Sequence, residues 1–229
     1  MSVSDLPNLP ADEDNRRDIL NEPMDTRAKF AASFINDAVI QQWRNLQKWR
    51  DITNQTAQFD SGYYGQHLAS IVSGIAGTAR RGKGLDMREG SEVKTASVLD
   101  GEDNPRWNHM PLTEEKSREL VQSPNIFYIL MDWNDVEELR VRLWRVSPTE
   151  DDDFCQLVSK WLNEDYDSKN FQLHPPVSRD CNVARKSIGT LELPLMFHLT
   201  HDLEDTVKIH TANDEPGMSQ LLQQYIDDY

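Results

Sequence analysis

Cysteine is nearly absent from this sequence: Cys155 and Cys181 are the only two in 229 residues. Two thiols cannot form a disulfide framework, and they lie in no metal-ligand spacing, which fits a reducing compartment. No run of about 18 apolar residues exists, so nothing is built to span a bilayer as a helix. Basic residues are scarce, with 24 Lys and Arg against 39 Asp and Glu and a net charge of −15. That balance excludes indiscriminate adhesion to nucleic acid but leaves room for a local basic groove. The glycines of "SGIAGTARRGKG" lack the phosphate-loop pattern, and neither Ser91 nor Thr95 sits in a nucleophile elbow. His198 and His201 are close in sequence but have no intervening Glu at zinc-protease spacing. The first 25 residues lack the basic start and apolar middle of a secretory leader; their prolines and acids predict a flexible acidic arm. A cytoplasmic protein is expected.

The remaining positive charge is concentrated in "WRNLQKWR" (43–50), "ARRGKG" (79–84) and "RDCNVARKS" (179–187). Apolar residues at helical spacing predict one long helix over 26–53 and a shorter one over 66–73. A glycine-rich loop follows, then two strands flanking a Glu-Gly turn. "TEEKSRELVQ" predicts a helix capped by Thr113. "IFYILMDW" has the continuous apolar character of a strand buried on both faces, and "ELRVRLWRV" alternates as if one face were wet. "DDDFCQLVSKWLNE" predicts a helix with acids at its N-terminal end. A later strand is interrupted at Pro194, and "MSQLLQQYIDDY" predicts a terminal helix. Alternating strands and helices predict one mixed α/β domain over 26–229, a central β-sheet flanked by helices.

The stretch "KGLDMREGSEVKTAS" (83–97) places Asp86, Glu92 and Lys94 around that turn. A two-residue loop would send Asp86 to the face opposite Glu92 and Lys94. A three-residue loop, Arg88 to Gly90, pairs Met87 with Ser91 and brings all three side chains to one face. Gly90 favours the second, because the last loop position needs a left-handed residue. Like charges facing each other on a sheet destabilise by up to about 1 kcal/mol. A divalent cation between them reverses the sign, and Mg²⁺ suits a site of one or two carboxylates plus water and a substrate phosphate. Lys94 is then placed to orient an attacking water or to stabilise charge on a phosphorane. On spacing alone the same residues describe a surface hairpin with an ordinary Glu-x-Lys pair. The basic loop before them and the apolar strand after them favour phosphodiester hydrolysis.

These residues resemble the catalytic core of the PD-(D/E)xK nuclease superfamily. "GYYGQHLASIVSGIAGTARRGKGLDMREGSEVKTA", "PRWNH", "FYILMDW" and "NFQLHPP" through "GTLELPLMF" resemble MamI-type type II restriction endonucleases over roughly residues 60–200. The resemblance implies a restriction-endonuclease-like core in which Asp86 and Glu92 are the two acids, Lys94 the lysine, and Gln66 a polar residue on a helix beside the site. It implies Mg²⁺ held by Asp86, Glu92 and Val93. The implied activity is a Mg²⁺-dependent, sequence-specific cut in double-stranded DNA by a bacterial homodimer, with a cognate methyltransferase protecting the same site. Arg80, Arg81 and Lys83 are the expected backbone contacts. Residues 165–200 form the expected recognition region, with Asn170, Gln172, His174, Arg179, Asn182, Arg185 and Lys186 of the types that read base edges and phosphates. Other readings are a repair or junction-resolving nuclease, which reads shape, and a non-catalytic acidic DNA mimic, which has no need of Lys94.

Overall fold

The apolar run at 126–135 becomes the hub of the fold. The computed structural model describes residues 1–54, 61–78, 86–98, 106–135, 138–163, 170–173, 195–202 and 204–212. In chain order these form α1 (Glu13–Asp18), α2 (Met24–Phe34), a π-helical segment (Ile35–Ile40), α3 (Gln41–Thr53), α4 (Ser61–Ser73), β1 (Glu92–Val98) and β2 (Trp107–Pro111). They continue with α5 (Glu114–Val121), β3 (Ile126–Asp135), β4 (Glu138–Val146), α6 (Asp152–Asn163), β5 (Asn170–Leu173), β6 (Leu195–Asp202) and β7 (Val207–Thr211). The protein is α/β, with a mixed five-stranded sheet in the order β1-β3-β4-β6-β7. β1 runs parallel to β3 and the other neighbours are antiparallel; β2 and β5 form a separate antiparallel pair. Among the described residues, no helix is long and apolar enough to cross a membrane.

Side-chain alternation on β3 divides the interior in two. Phe127, Ile129 and Met131 face a core closed by Ala28, Ala31, Ile35 and Val39 of the long helix and by Leu68 and Val72 of α4. Ile126, Tyr128 and Leu130 face a second core closed by Trp107, Leu120, Phe154, Val158 and Phe171. A strand wetted on neither face needs apolar residues at both parities, which is why this run carries no alternation. Each fully buried Ile or Phe contributes roughly 1.5–3 kcal/mol, so β3 alone anchors much of the sheet.

Several expectations need correction. The long helix is continuous over 24–53 but passes through the π segment, and α4 begins at Ser61, taking in the "GYYG" expected to precede it. The second face of β4 is not wet: Arg142 is 1% exposed, sits 3.0 Å from Asp132 and lies over the Trp144 ring. An alternating pattern cannot distinguish a solvated arginine from one paired inside. The first 25 residues, expected as a flexible arm, are tied down. Val207 N–H donates to the Met1 carbonyl at 2.8 Å, Val3 N–H to that of Asp205 at 2.9 Å, and Ser33 Oγ to that of Pro7 at 2.7 Å. The outer edge of β7 offers backbone groups that need partners, and residues 1–3 supply them. The expected terminal helix lies outside the described residues, as does Pro194.

Candidate active site

The turn after Asp86 has the three-residue loop. Met87 N–H donates to the Ser91 carbonyl at 3.1 Å and Gly90 N–H to the Met87 carbonyl at 3.1 Å, while Gly90 has φ of +105°. Among the described residues, however, only one of the two expected flanking strands is present. Residues before the turn bond outward to 76–78, with Thr78 N–H on the Asp86 carbonyl and Arg88 N–H on that of Ala76, each at 3.0 Å. Those after it are captured by β3, beginning with Glu92 N–H on the Asn125 carbonyl at 3.1 Å. A conventional hairpin is thereby replaced by a corner between two pairings.

Asp86 spans that corner with its side chain. Its Oδ2 accepts from Val93 N–H at 2.8 Å, and its Oδ1 accepts from Gln66 Nε2 of α4 at 2.7 Å. Val93 therefore points its amide away from β3, and in an extended residue the carbonyl lies on the same side, toward the outer edge of β1. Burial pushes the Asp86 carboxyl above its ordinary range; the Val93 bond opposes this, Glu92 adds to it, and Lys94 opposes it. Lys94 Nζ lies 2.5 Å from Glu92 Oε1, both side chains about one quarter exposed. The four residues Gln66, Asp86, Glu92 and Lys94 thus converge at one end of β1.

Packing holds this end in place. Gly65 lets α4 approach β1 so closely that a Cβ there would lie 1.8 Å from Thr95 Oγ1. Replacing Gly90 with Val should cost about 1–2 kcal/mol through left-handed strain, read as a lower denaturant midpoint. Activity should fall further than stability, because a shifted loop moves Asp86 from Val93.

The donor set fits a hard divalent cation. Two carboxylates at close quarters, one of them disfavoured in its charged form by burial and by the other, gain from a positive ion, and the Val93 carbonyl adds a neutral oxygen. Among the described residues no group of three or more His, Cys, Asp or Glu side chains could hold a metal ion, so the candidate set rests on two carboxylates. His198 and His201 cannot join in one site: His198 pairs with Arg142 on one face of the sheet, and His201, three residues on, faces the other.

Of the expected DNA contacts, Gln172 is half-buried on β5, and Asn170 begins that strand. Arg80, Arg81, Lys83, His174, Arg179, Asn182, Arg185 and Lys186 lie outside the described residues. The sequence reading gave no part to Tyr128 or His109. Tyr128 is the register partner of Lys94, and its hydroxyl is 3.0 Å from His109 Nε2. The signal was faint: two polar residues, one at each end of apolar or aromatic context.

The profile of the MamI restriction endonuclease family matches residues 48–213. The chain belongs to the MamI restriction endonuclease family. One relative, the type II restriction enzyme MamI of Microbacterium ammoniaphilum, is 38% identical over 179 residues, covering 70% of this chain. The chain spans 58% of the length of that relative. No solved structure matches. The MamI-family match contains β1, β3 and the whole turn between Asp86 and Glu92, whereas Met1–Gln47 lies ahead of it.

Proposed function

We propose that this chain is a Mg²⁺-dependent endonuclease of the PD-(D/E)xK type that cuts double-stranded DNA at a specific sequence, a bacterial type II restriction enzyme. The observation that supports this reading best is the convergence of Gln66, Asp86, Glu92 and Lys94 at one end of β1, inside the segment matched by the family. Asp86, Glu92 and the Val93 carbonyl would hold the cation. When bound, it supplies Lewis-acid charge beside the scissile phosphate. Gln66 fixes the rotation of the Asp86 carboxylate through its 2.7 Å bond. Lys94, beside Glu92 at the same end of β1, orients the attacking water and neutralises charge gathering on the phosphorane oxygens. Water oxygen bonds to phosphorus as the bond to one bridging ester oxygen breaks; the water gives up a proton to solvent, the leaving oxygen takes one from solvent, and one DNA strand is broken.

The whole of 26–229 serves as the nuclease domain, with 165–200 as recognition region. Cutting both strands of a two-fold site calls for a homodimer with one site per subunit. A cytoplasmic location and a methyltransferase acting on the same sequence complete the restriction-modification pair. The direct test is digestion of a plasmid of known sequence with Mg²⁺ and mapping of the fragments: discrete fragments support a site-specific enzyme, whereas an uncut plasmid or a random smear contradicts it. Binding to the mapped site should weaken steeply with added salt despite the net charge of −15, with a log–log slope equal to several phosphate contacts. Anisotropy titrations across salt concentrations measure this, and a flat response favours an acidic mimic.

A further inference from the structure

Beneath Lys94 lies a buried polar pair that the proposed mechanism leaves unused. Tyr128 has no solvent exposure and His109 only 7%, yet each satisfies the other, with His109 Nε2 3.0 Å from the Tyr128 hydroxyl. The pair is clamped by aromatic rings: Trp107 lies 4.8 Å from Tyr128 and Phe171 5.2 Å from His109, centroid to centroid. Trp107 is itself pinned by a 2.7 Å bond from its indole N–H to the Ile129 carbonyl. Lys94 and Tyr128 are register partners on adjacent parallel strands, and their parity puts both on the face that carries Ala96 and Leu130. Register partners on one face stand on adjacent strands side by side, so Lys94 and Tyr128 project from neighbouring positions of the same face. The electrostatics agree: burial and then the Lys94 charge lower the His109 pKa to about 3, and burial followed by Glu92 pushes the Tyr128 phenol well up. Both groups are neutral at working pH. Phe and Leu would fill this core without needing a hydrogen bond, so two polar groups here impose a fixed geometry at no gain in packing.

We propose that His109 and Tyr128 are positioning residues for Lys94, a rigid neutral floor that holds its ammonium at the reacting phosphate. The role in cleavage rests on the nuclease reading above; the immobilisation of Lys94 does not. The test uses the full chain with Tyr128→Phe, His109→Leu and His109→Gln, the last retaining a side-chain amide able to reach the hydroxyl. On a plasmid that the wild type cuts with Mg²⁺, Tyr128→Phe and His109→Leu should lower kcat by 10- to 100-fold with KM within twofold, and His109→Gln should recover most of the loss. Independently, modification of Lys94 by an amine-specific reagent, read by mass spectrometry without metal or DNA, should speed up several-fold in Tyr128→Phe and His109→Leu, with Lys48 and Lys160 unchanged. Wild-type kcat together with wild-type labelling overturns the proposal, and so does a kcat loss that follows the unfolded fraction and is not relieved by Gln. A wild type that does not cut DNA removes the nuclease reading while the labelling still decides the role of the floor.

Discussion

Asp86→Asn is expected to abolish DNA cleavage, by on the order of 10³-fold or more, the several kcal/mol of charge stabilisation that a bound cation provides. Folding should survive. The Asn carbonyl can still accept from Val93 N–H, and a rotated Gln66 amide can present its oxygen to the new NH₂ group, so both 2.7–2.8 Å bonds have replacements. A carboxyl whose folded pKa is raised, as that of Asp86 is, contributes stability below its unfolded value that is lost as pH rises through the folded one. At neutral pH the charged Asp86 is therefore a burden on the metal-free chain. The variant should melt at the same temperature as the wild type or higher without metal; Mg²⁺ is expected to raise the melting temperature of the wild type and to leave that of the variant unchanged. Glu92→Gln should be equally inactive. Turnover near wild type by either variant would remove that residue from the mechanism.

Gly65→Ala is the second large effect, and it acts from the opposite side of β1. The added methyl meets Thr95 Oγ1 at 1.8 Å and Thr95 Cβ at 2.9 Å, so α4 must lift from the strand. Overpacking of this kind costs about 1–3 kcal/mol, and α4 carries Gln66 away from Asp86 as it moves. Cleavage should drop along with stability. Thr95 Oγ1 is buried with no hydrogen-bond partner among the described residues, so Thr95→Ala alone should be close to neutral in urea unfolding. In the Gly65→Ala background the same change removes the closest clash and should restore most of the stability and part of the activity. Additive rather than coupled effects would show that the contact does not set the height of α4.

The geometry of the candidate site was more legible in the sequence than the fold around it. Asp86, Glu92 and Lys94 were legible because a loop of fixed length and a glycine in its last position leave few geometries. Among the described residues the pairing of the second arm is with β3, since local parity says nothing about that strand, whose edge captured the residues after the turn. β3 was legible from its unbroken apolar run. β2, β5 and β7 were missed; "WNHMP", "NFQL" and "VKIHT" are short, and their polar residues resemble loop until an aromatic cluster or an edge recruits them. Arg142 was read as solvent-facing because its partner Asp132 lies ten residues away, on the neighbouring strand. His109 drew no role from its local context; the site it sits beneath became visible through the Lys94–Tyr128 register, which no local pattern encodes.

The parallel pairing of β1 with β3 has a consequence in time. A parallel neighbour cannot be reached by a tight turn, so the chain must make β2 and α5 and come back before β1 has a partner. β3 and β4, adjacent in sequence and antiparallel, can close as soon as both exist, whereas β1 must wait for a docking surface. On the ribosome, Gln66, Asp86, Glu92 and Lys94 all emerge ahead of β3. A nascent chain halted before Ile126 would hold every acid and the lysine, yet have no strand on which to align them. In the proposed nuclease the aligned site therefore arrives only after β3 has been made, a useful order where the proposed substrate is DNA.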